Sequence, residues 1–205
     1  MASFFIVRHG ESTWNALHRW QGQADPPLSD LGERQARAAA AVIGRLGRVD
    51  GIVTSSLQRA RETGALIAAG TGIALHDPVA ALSERSAGAW EGLTRPEIDE
   101  RFPGYLHSGD RPSGYESEES VVGRALAAIE SLAAASAGRR WMVVSHGGVI
   151  HALERHAQVE TGEWQRLDNL EGRWFHHTSQ SLRADAQRLH LLDHEHSVAD
   201  ADHYV

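Results

Sequence analysis

Apolar residues along this chain fall into a few short runs, separated by longer stretches in which they recur every three or four positions. Residues 3–8 (SFFIVR) form one run, Gly51–Thr54 a second and Trp141–Ser145 the clearest. Near-continuous apolarity over so few residues marks strands covered on both faces. Between the first two runs, residues 30–46 are rich in alanine and follow Ser29, whose hydroxyl can cap free N–H groups at a helix start. The spacing predicts a helix there, with Leu31, Ala38, Val42 and Leu46 toward the core. Further helices are predicted over 56–69, with a stripe of Leu57, Ala60, Gly64 and Ile67, over 118–136, and from His146 to about Arg155. Ile73–His76, Arg173–His176 and Gln187–Leu192 read as weaker strands, and the polar end beyond them as a segment that frays.

Strands alternating with helices predict the α/β class: three layers, α/β/α, around a mainly parallel central sheet. The 205 residues suit one domain with a real core. Residues 82–117 break the alternation. Pro96, Pro103, Pro112 and several glycines predict loops there, with one short helix near Pro96–Arg101, forming a pocket wall or lid.

Composition narrows the function classes. With 41% hydrophobic and 23% charged residues the chain is an ordinary globular protein. A formal charge of −7 disfavours nucleic acid as a partner, although an acidic total can still surround a positive pocket. There is no cysteine, hence no disulfide framework and no thiol chemistry, which fits a cytoplasmic protein. The start, Met1–Arg8, reads as a first buried strand rather than a leader, and no apolar stretch approaches the ~18 residues of a membrane span.

Four segments lie where a strand ends or a helix begins, which is where open α/β sheets bind ligands. They are Arg8-His9-Gly10-Glu11, Ser55-Ser56-Leu57-Gln58-Arg59, Leu82-Ser83-Glu84 and Ser145-His146-Gly147-Gly148. Two histidines, two arginines and a carboxylate supply what phosphoryl transfer to nitrogen needs: a nucleophile, cations for the phosphoryl oxygens and an acid for the leaving oxygen. The glycines allow close backbone approach to an anion, and a helix after Gly147 would aim its free N–H groups at it.

Arg8-His9-Gly10-Glu11 with Asn15 resembles the RHGExxxN signature of the histidine phosphatase superfamily, phosphoglycerate-mutase-like branch. The segments Asp25-Pro26-Pro27-Leu28-Ser29 with Gly32 and Gln35, Thr54–Ala60 with Thr63, Leu82–Glu84 with Trp90-Glu91-Gly92, and Ser145–Gly148 resemble the family's further motifs in order. The resemblance implies a phosphoglycerate-mutase-like fold and assigns roles. His9 is the phosphorylated nucleophile, neutral at the attacking nitrogen, with its other N–H given to a backbone carbonyl. Arg8, Arg59 and His146 form a positive cradle, Asn15, Gly22 and Gly147 complete the binding set, and Glu84 is the general acid. Glu11 and Glu91 compete for that last role, with Glu11 read as a hydrogen-bonding support. The scheme calls for no cofactor and no metal; the pairs His176-His177 and His194-x-His196 lack the carboxylate or i,i+4 histidine that a metal site would add.

The implied activity is hydrolysis of a small phosphorylated metabolite through a phosphohistidine. A mutase is the alternative reading, and a phosphate-binding protein without chemistry a remote one. Only 62 positions separate Glu84 from His146, the mutases' paired arginine is replaced by isolated Arg95, Arg101 and Arg111, and Glu84–Gly92 departs from the mutase form. The phosphatase is therefore preferred. Trp14, Trp20 and Trp90 are candidates to line the pocket, and a homodimer stays open.

Overall fold

The computed structural model describes residues 1–136, 138–159, 166–178 and 181–192. Strand β1 (Ala2–Arg8) is buried along its whole length, and its alternating side chains divide the interior in two. Phe4 and Ile6 join one cluster with Val53, Trp141 and Val143, while Phe5 and Val7 join a second with Ile52, Met142 and Val144. Helices α6 (Glu118–Ala135) and α7 (Gly147–His156) cover the first face through Ile129 and Leu153; α2 (Asp30–Val42) and α3 (Gln58–Thr71) cover the second through Ala39, Ala60 and Ile67. The three expected layers follow from this split.

The sheet runs β2-β3-β1-β4-β5, with β2 Gly51–Thr54, β3 Arg140–Ser145, β4 Glu171–His177 and β5 Leu182–Ala184; β6 (Leu189–His190) also pairs with β4. Strands β2, β3 and β1 are parallel, while β4, β5 and β6 pair antiparallel. The sheet is thus mixed. The expected parallel arrangement holds for β2, β3 and β1; β4 enters beside β1 in the opposite direction, and a short connection then pairs β5 back onto it.

Three local expectations need correction. Ile73–His76 forms no strand: it meets β2 through a single bridge, Ile52 to Leu75, before Pro78 removes a donor. Strand β5 went unforeseen because it offers one buried apolar residue, Leu182, and no alternation. The buried face of α2 is Gly32, Gln35, Ala36, Ala39 and Ala40; of the predicted stripe, Leu46 does reach the core, from the 3-10 turn after the helix, and Ala38 and Val42 pack half-buried against it, while Leu31 lies to one side of that face. Small residues won that face because α3 comes close; a Cβ on Gly70 would lie 2.7 Å from Ala40 Cβ.

Residues 80–117 fold into two single 3-10 turns and the short helices α4 (Arg95–Arg101) and α5 (Tyr105–Ser108). A reciprocal cap between Thr94 and Glu97 starts α4 at the predicted place. Trp90, Ile98 and Leu93 form a satellite core there with Trp20, Phe102 and Tyr115. Among the described residues, no helix is long and apolar enough to cross a membrane.

Candidate active site

The parallel strands end side by side. The His9 N–H donates to Ser145 O at 3.1 Å and the Ser55 N–H to Val144 O at 2.9 Å, so the residues leaving β1, β2 and β3 share one rim. Below the rim the chain is packed too tightly for side chains. A Cβ on Gly10 would lie 2.7 Å from Gly32 O, and one on Gly32 1.9 Å from Glu11 O. That contact seats the His9 loop on the first turn of α2. Above it opens a cavity of about 510 Å3, whose walls include Arg8, His9, Asn15, Gly22, Arg59, Glu84 and Gly147. Seven of the eight predicted site residues therefore line one space, and the eighth, His146, sits behind it with its ring 5.1 Å from that of His9.

His9 is buried, and its Nδ1 lies 2.6 Å from Gly10 O. A carbonyl only accepts, so Nδ1 carries the hydrogen and Nε2 keeps its lone pair. Arg59 Nε donates to that Nε2 at 3.2 Å. Burial, then the charges of Arg59 and Arg8, hold the His9 pKa well below the ordinary histidine range. The ring is thus neutral and of defined tautomer. Its backbone oxygen accepts from Asn169 Nδ2 at 2.8 Å.

The cations around it are fixed by carbonyls. Arg59, fully buried, donates from Nη1 to Ala24 O and from Nη2 to Gly22 O at 2.8 and 2.9 Å. Burial lowers its pKa to about 10, which leaves it charged at neutral pH. Gly22 adopts φ +50, and a Cβ there would strike Glu91 Oε1. Arg8 Nη1 donates to Leu167 O at 2.6 Å. His146 shares a 2.7 Å hydrogen bond with Ser55 Oγ through Nε2, while its buried Nδ1 has no partner among the described residues. Burial and then the charge of Arg59 keep this histidine, too, well below the ordinary range. Asn15 spends its amide oxygen on the Ser12 cap of α1 (Thr13–Ala16) and lines the cavity.

The three candidate carboxylates separate by their contacts. Glu84 lines the cavity, with Oε1 accepting from the Arg85 N–H at 2.7 Å and Oε2 from the Gly148 N–H at 3.1 Å. A Cβ on Gly148 would lie 2.4 Å from that carboxylate, so any larger residue there would displace the Glu84 side chain from this position. Glu11 accepts from Ser29 Oγ at 2.6 Å, beside α2. Glu91 accepts from the Gln23 and Ala87 N–H groups and ties the Gly22 loop to the 80–117 segment. Both brace the backbone and neither is among the residues lining the cavity.

The far wall is aromatic and cationic. Trp20, Trp90, Leu106 and Tyr115 line it, whereas Trp14 packs on Gly92 instead. Arg111, exposed, lies over the rings of Trp90 and Tyr115 at 5.5 and 5.3 Å, and Arg85 over Tyr115 at 5.8 Å. Of the isolated arginines only Arg111 reaches the cavity; Arg95 and Arg101 do not line it.

Several supporting residues carried no assigned role in the sequence reading. Arg124, on α6, donates to the carbonyls of Ala81, Ser83 and Glu84 and to both oxygens of Glu116, which fixes the backbone that presents Glu84. Thr63 accepts from the Gly10 N–H and donates to Arg59 O, linking nucleophile loop and cation. Thr63 and Ser55 stood inside recognised motifs, but Arg124 and Asn169 sit in stretches with no local signal. His176 bonds to Ser3 and Asp185, and among the described residues no group of three or more His, Asp or Glu side chains is placed to hold a metal. His194 and His196 lie outside the described residues.

Comparisons with known proteins identify the family. Residues 4–190 match the model of the histidine phosphatase superfamily (branch 1). The chain is 36% identical over 155 residues to a metal-independent phosphoserine phosphatase of Arabidopsis thaliana, covering 72% of this chain and 65% of that one. It is 35% identical over 179 residues to a glucosyl-3-phosphoglycerate phosphatase of Mycobacterium tuberculosis, covering 80% and 79%. A solved mycobacterial glucosyl-3-phosphoglycerate phosphatase in complex with VO3 superposes with a TM-score of 0.77 at 30% identity, over 89% of this chain and 96% of that one. The chain is an enzyme of the histidine phosphatase superfamily, branch 1.

Proposed function

We propose that this chain hydrolyses small phosphate monoesters by way of a phosphohistidine on His9. The lone pair of His9 Nε2 attacks phosphorus, the bond from phosphorus to the ester oxygen breaks, and Glu84 gives its proton to the departing alkoxide. Glu84 then takes a proton from water, whose oxygen attacks phosphorus; the P–N bond breaks and phosphate leaves. Arg8 and Arg59 meet the phosphoryl oxygens with planar donor forks, and His146 Nδ1, Asn15 and the start of α7 at Gly147 add neutral donors. The observation that carries this reading is the tautomer of His9: Nδ1–H is locked on Gly10 O, and Nε2 faces a buried arginine.

Residues 82–117 supply the wall against which the alcohol half rests. The phosphatases of phosphoserine and glucosyl-3-phosphoglycerate among the relatives support a small phosphorylated metabolite as the substrate class.

The test turns on Glu84. An alkyl alcohol is a poor leaving group and needs the proton in the transition state, whereas nitrophenolate leaves largely without it. Glu84→Gln should cost an alkyl phosphate roughly 10² to 10⁴ in rate of phosphate release and nitrophenyl phosphate much less. Equal losses on both esters would remove Glu84 from the acid role.

A further inference from the structure

Arg8 is held from outside the motifs. Residues 166–170 lie across the start of the nucleophile loop and grip it three times. Leu167 O accepts from Arg8 Nη1 at 2.6 Å, the Leu170 N–H donates to Arg8 O at 3.1 Å, and Asn169 Nδ2 donates to His9 O at 2.8 Å. This segment belongs to no helix or strand, so its position depends on what anchors it.

Leu167 and Leu170 seat it in the core, and Leu191 and Glu171 hold its C-terminal end; its N-terminal end, at Arg166, is held by a buried charge cluster on the far side. Glu154, on α7 and 2% exposed, accepts from Arg188 Nε at 2.8 Å on one oxygen and from Arg188 Nη2 at 2.7 Å on the other. Arg173 Nε, from β4, shares the first oxygen at 2.7 Å. Arg188 reaches onward, and its Nη1 donates to Arg166 O at 3.2 Å, one residue before the carbonyl that holds Arg8. Burial alone would raise the Glu154 pKa, but hydrogen bonds and charge from Arg188, His151 and Arg173 outweigh it and hold the carboxyl well below the usual range. The pair is therefore ionised and rigid wherever the enzyme is folded at neutral pH.

We infer that Arg188, fixed by Glu154, is a positioning residue for the phosphoryl-binding Arg8, acting through the backbone of Arg166 and Leu167. A bidentate guanidinium–carboxylate pair defines orientation as well as distance, and the third donor of the same planar fork fixes the Arg166 carbonyl, one peptide before the Leu167 carbonyl that holds Arg8. The inference rests on the assignment of Arg8 to the phosphoryl group, and the experiment separates the two.

The experiment is a cycle of Arg188→Gln and Arg8→Lys, read by kcat/KM for a phosphate ester and by the inhibition constant of inorganic phosphate. Arg188→Gln leaves the Glu154–Arg173 pair in place, so the core keeps its counter-charge; Arg188→Lys serves instead if the first variant fails to fold. Misplacing a group by about 1 Å from a distance can cost up to 10²-fold. Arg188→Gln should lower kcat/KM roughly ten- to a hundredfold, weaken phosphate inhibition in parallel, and be partly rescued by Arg188→Lys. In the Arg8→Lys background the same substitution should cost less than about twofold, because its target is already gone. Equal fold losses in both backgrounds, or a wild-type phosphate constant in Arg188→Gln, would overturn the positioning role. An Arg8→Lys enzyme as active as the wild type would instead overturn the assignment of Arg8 itself.

Discussion

The two ends of the cavity are built by different means. At the phosphoryl end, main chain fixes the reactive side chains: Gly10 O holds His9, Gly22 O and Ala24 O hold Arg59, Leu167 O holds Arg8, and the Arg85 and Gly148 N–H groups hold Glu84. At the other end, side chains rest on side chains, with Arg111 and Arg85 over the rings of Trp90 and Tyr115. Backbone anchors allow one geometry, as suits a group that every phosphate ester shares. Ring faces tolerate sliding, as suits alcohols that differ. Under the proposed mechanism the first end carries the chemistry and the second the choice of substrate.

The largest effect that could break this contrast concerns Arg59. Its fork is aimed at oxygens common to all substrates, so Arg59→Ala should cost alkyl and nitrophenyl phosphates alike, roughly 10² to 10³ in kcat. Steady-state rates on the two esters measure it; a loss confined to one would show that Arg59 reads the alcohol.

Arg111→Ala should behave in the opposite way. An exposed cation–ring contact is worth about 0.5–1 kcal/mol. The substitution should therefore change KM by roughly two- to fivefold for an ester whose alcohol reaches the wall and leave nitrophenyl phosphate nearly unchanged. Equal changes in kcat for both would place Arg111 in the chemistry and erase the distinction between the ends.

The smallest effect is on stability. His9 and His146 are both depressed below the ordinary value of about 6.5, so below that pH the unfolded chain takes up protons that the folded chain refuses. Stability should accordingly fall as pH drops from about 7.5 to 5.5, and His146→Asn should flatten the slope. Urea midpoints across that range check it, and a slope unchanged by the substitution would mean that the buried ring titrates normally.

Much of the phosphoryl end was legible in the sequence because its geometry is local. Gly10 follows His9 and its carbonyl accepts the ring N–H one residue away, Gly148 sits where a Cβ would meet Glu84, and β1 and β3 announce themselves as unbroken apolar runs. The parts that escaped notice are made by partners far apart in the chain. Arg124 reaches Glu84 across 40 positions and Asn169 reaches His9 across 160, and neither leaves a periodic or motif signal. The buried face of α2 was missed in part for a related reason: side-chain hydrophobicity favoured Leu31, but contact with α3 rewarded alanine and glycine. The antiparallel half of the sheet was obscure because β5 buries too little apolar surface to alternate.

The central claim is that His9 carries the phosphoryl group. Rapid quench of the enzyme with a labelled phosphate ester tests it most directly. Label should appear on the protein within a turnover, be lost in acid but not in alkali as a phosphoramidate is, and be absent from His9→Ala. Acid-stable label, or label retained in full by His9→Ala, would contradict the account.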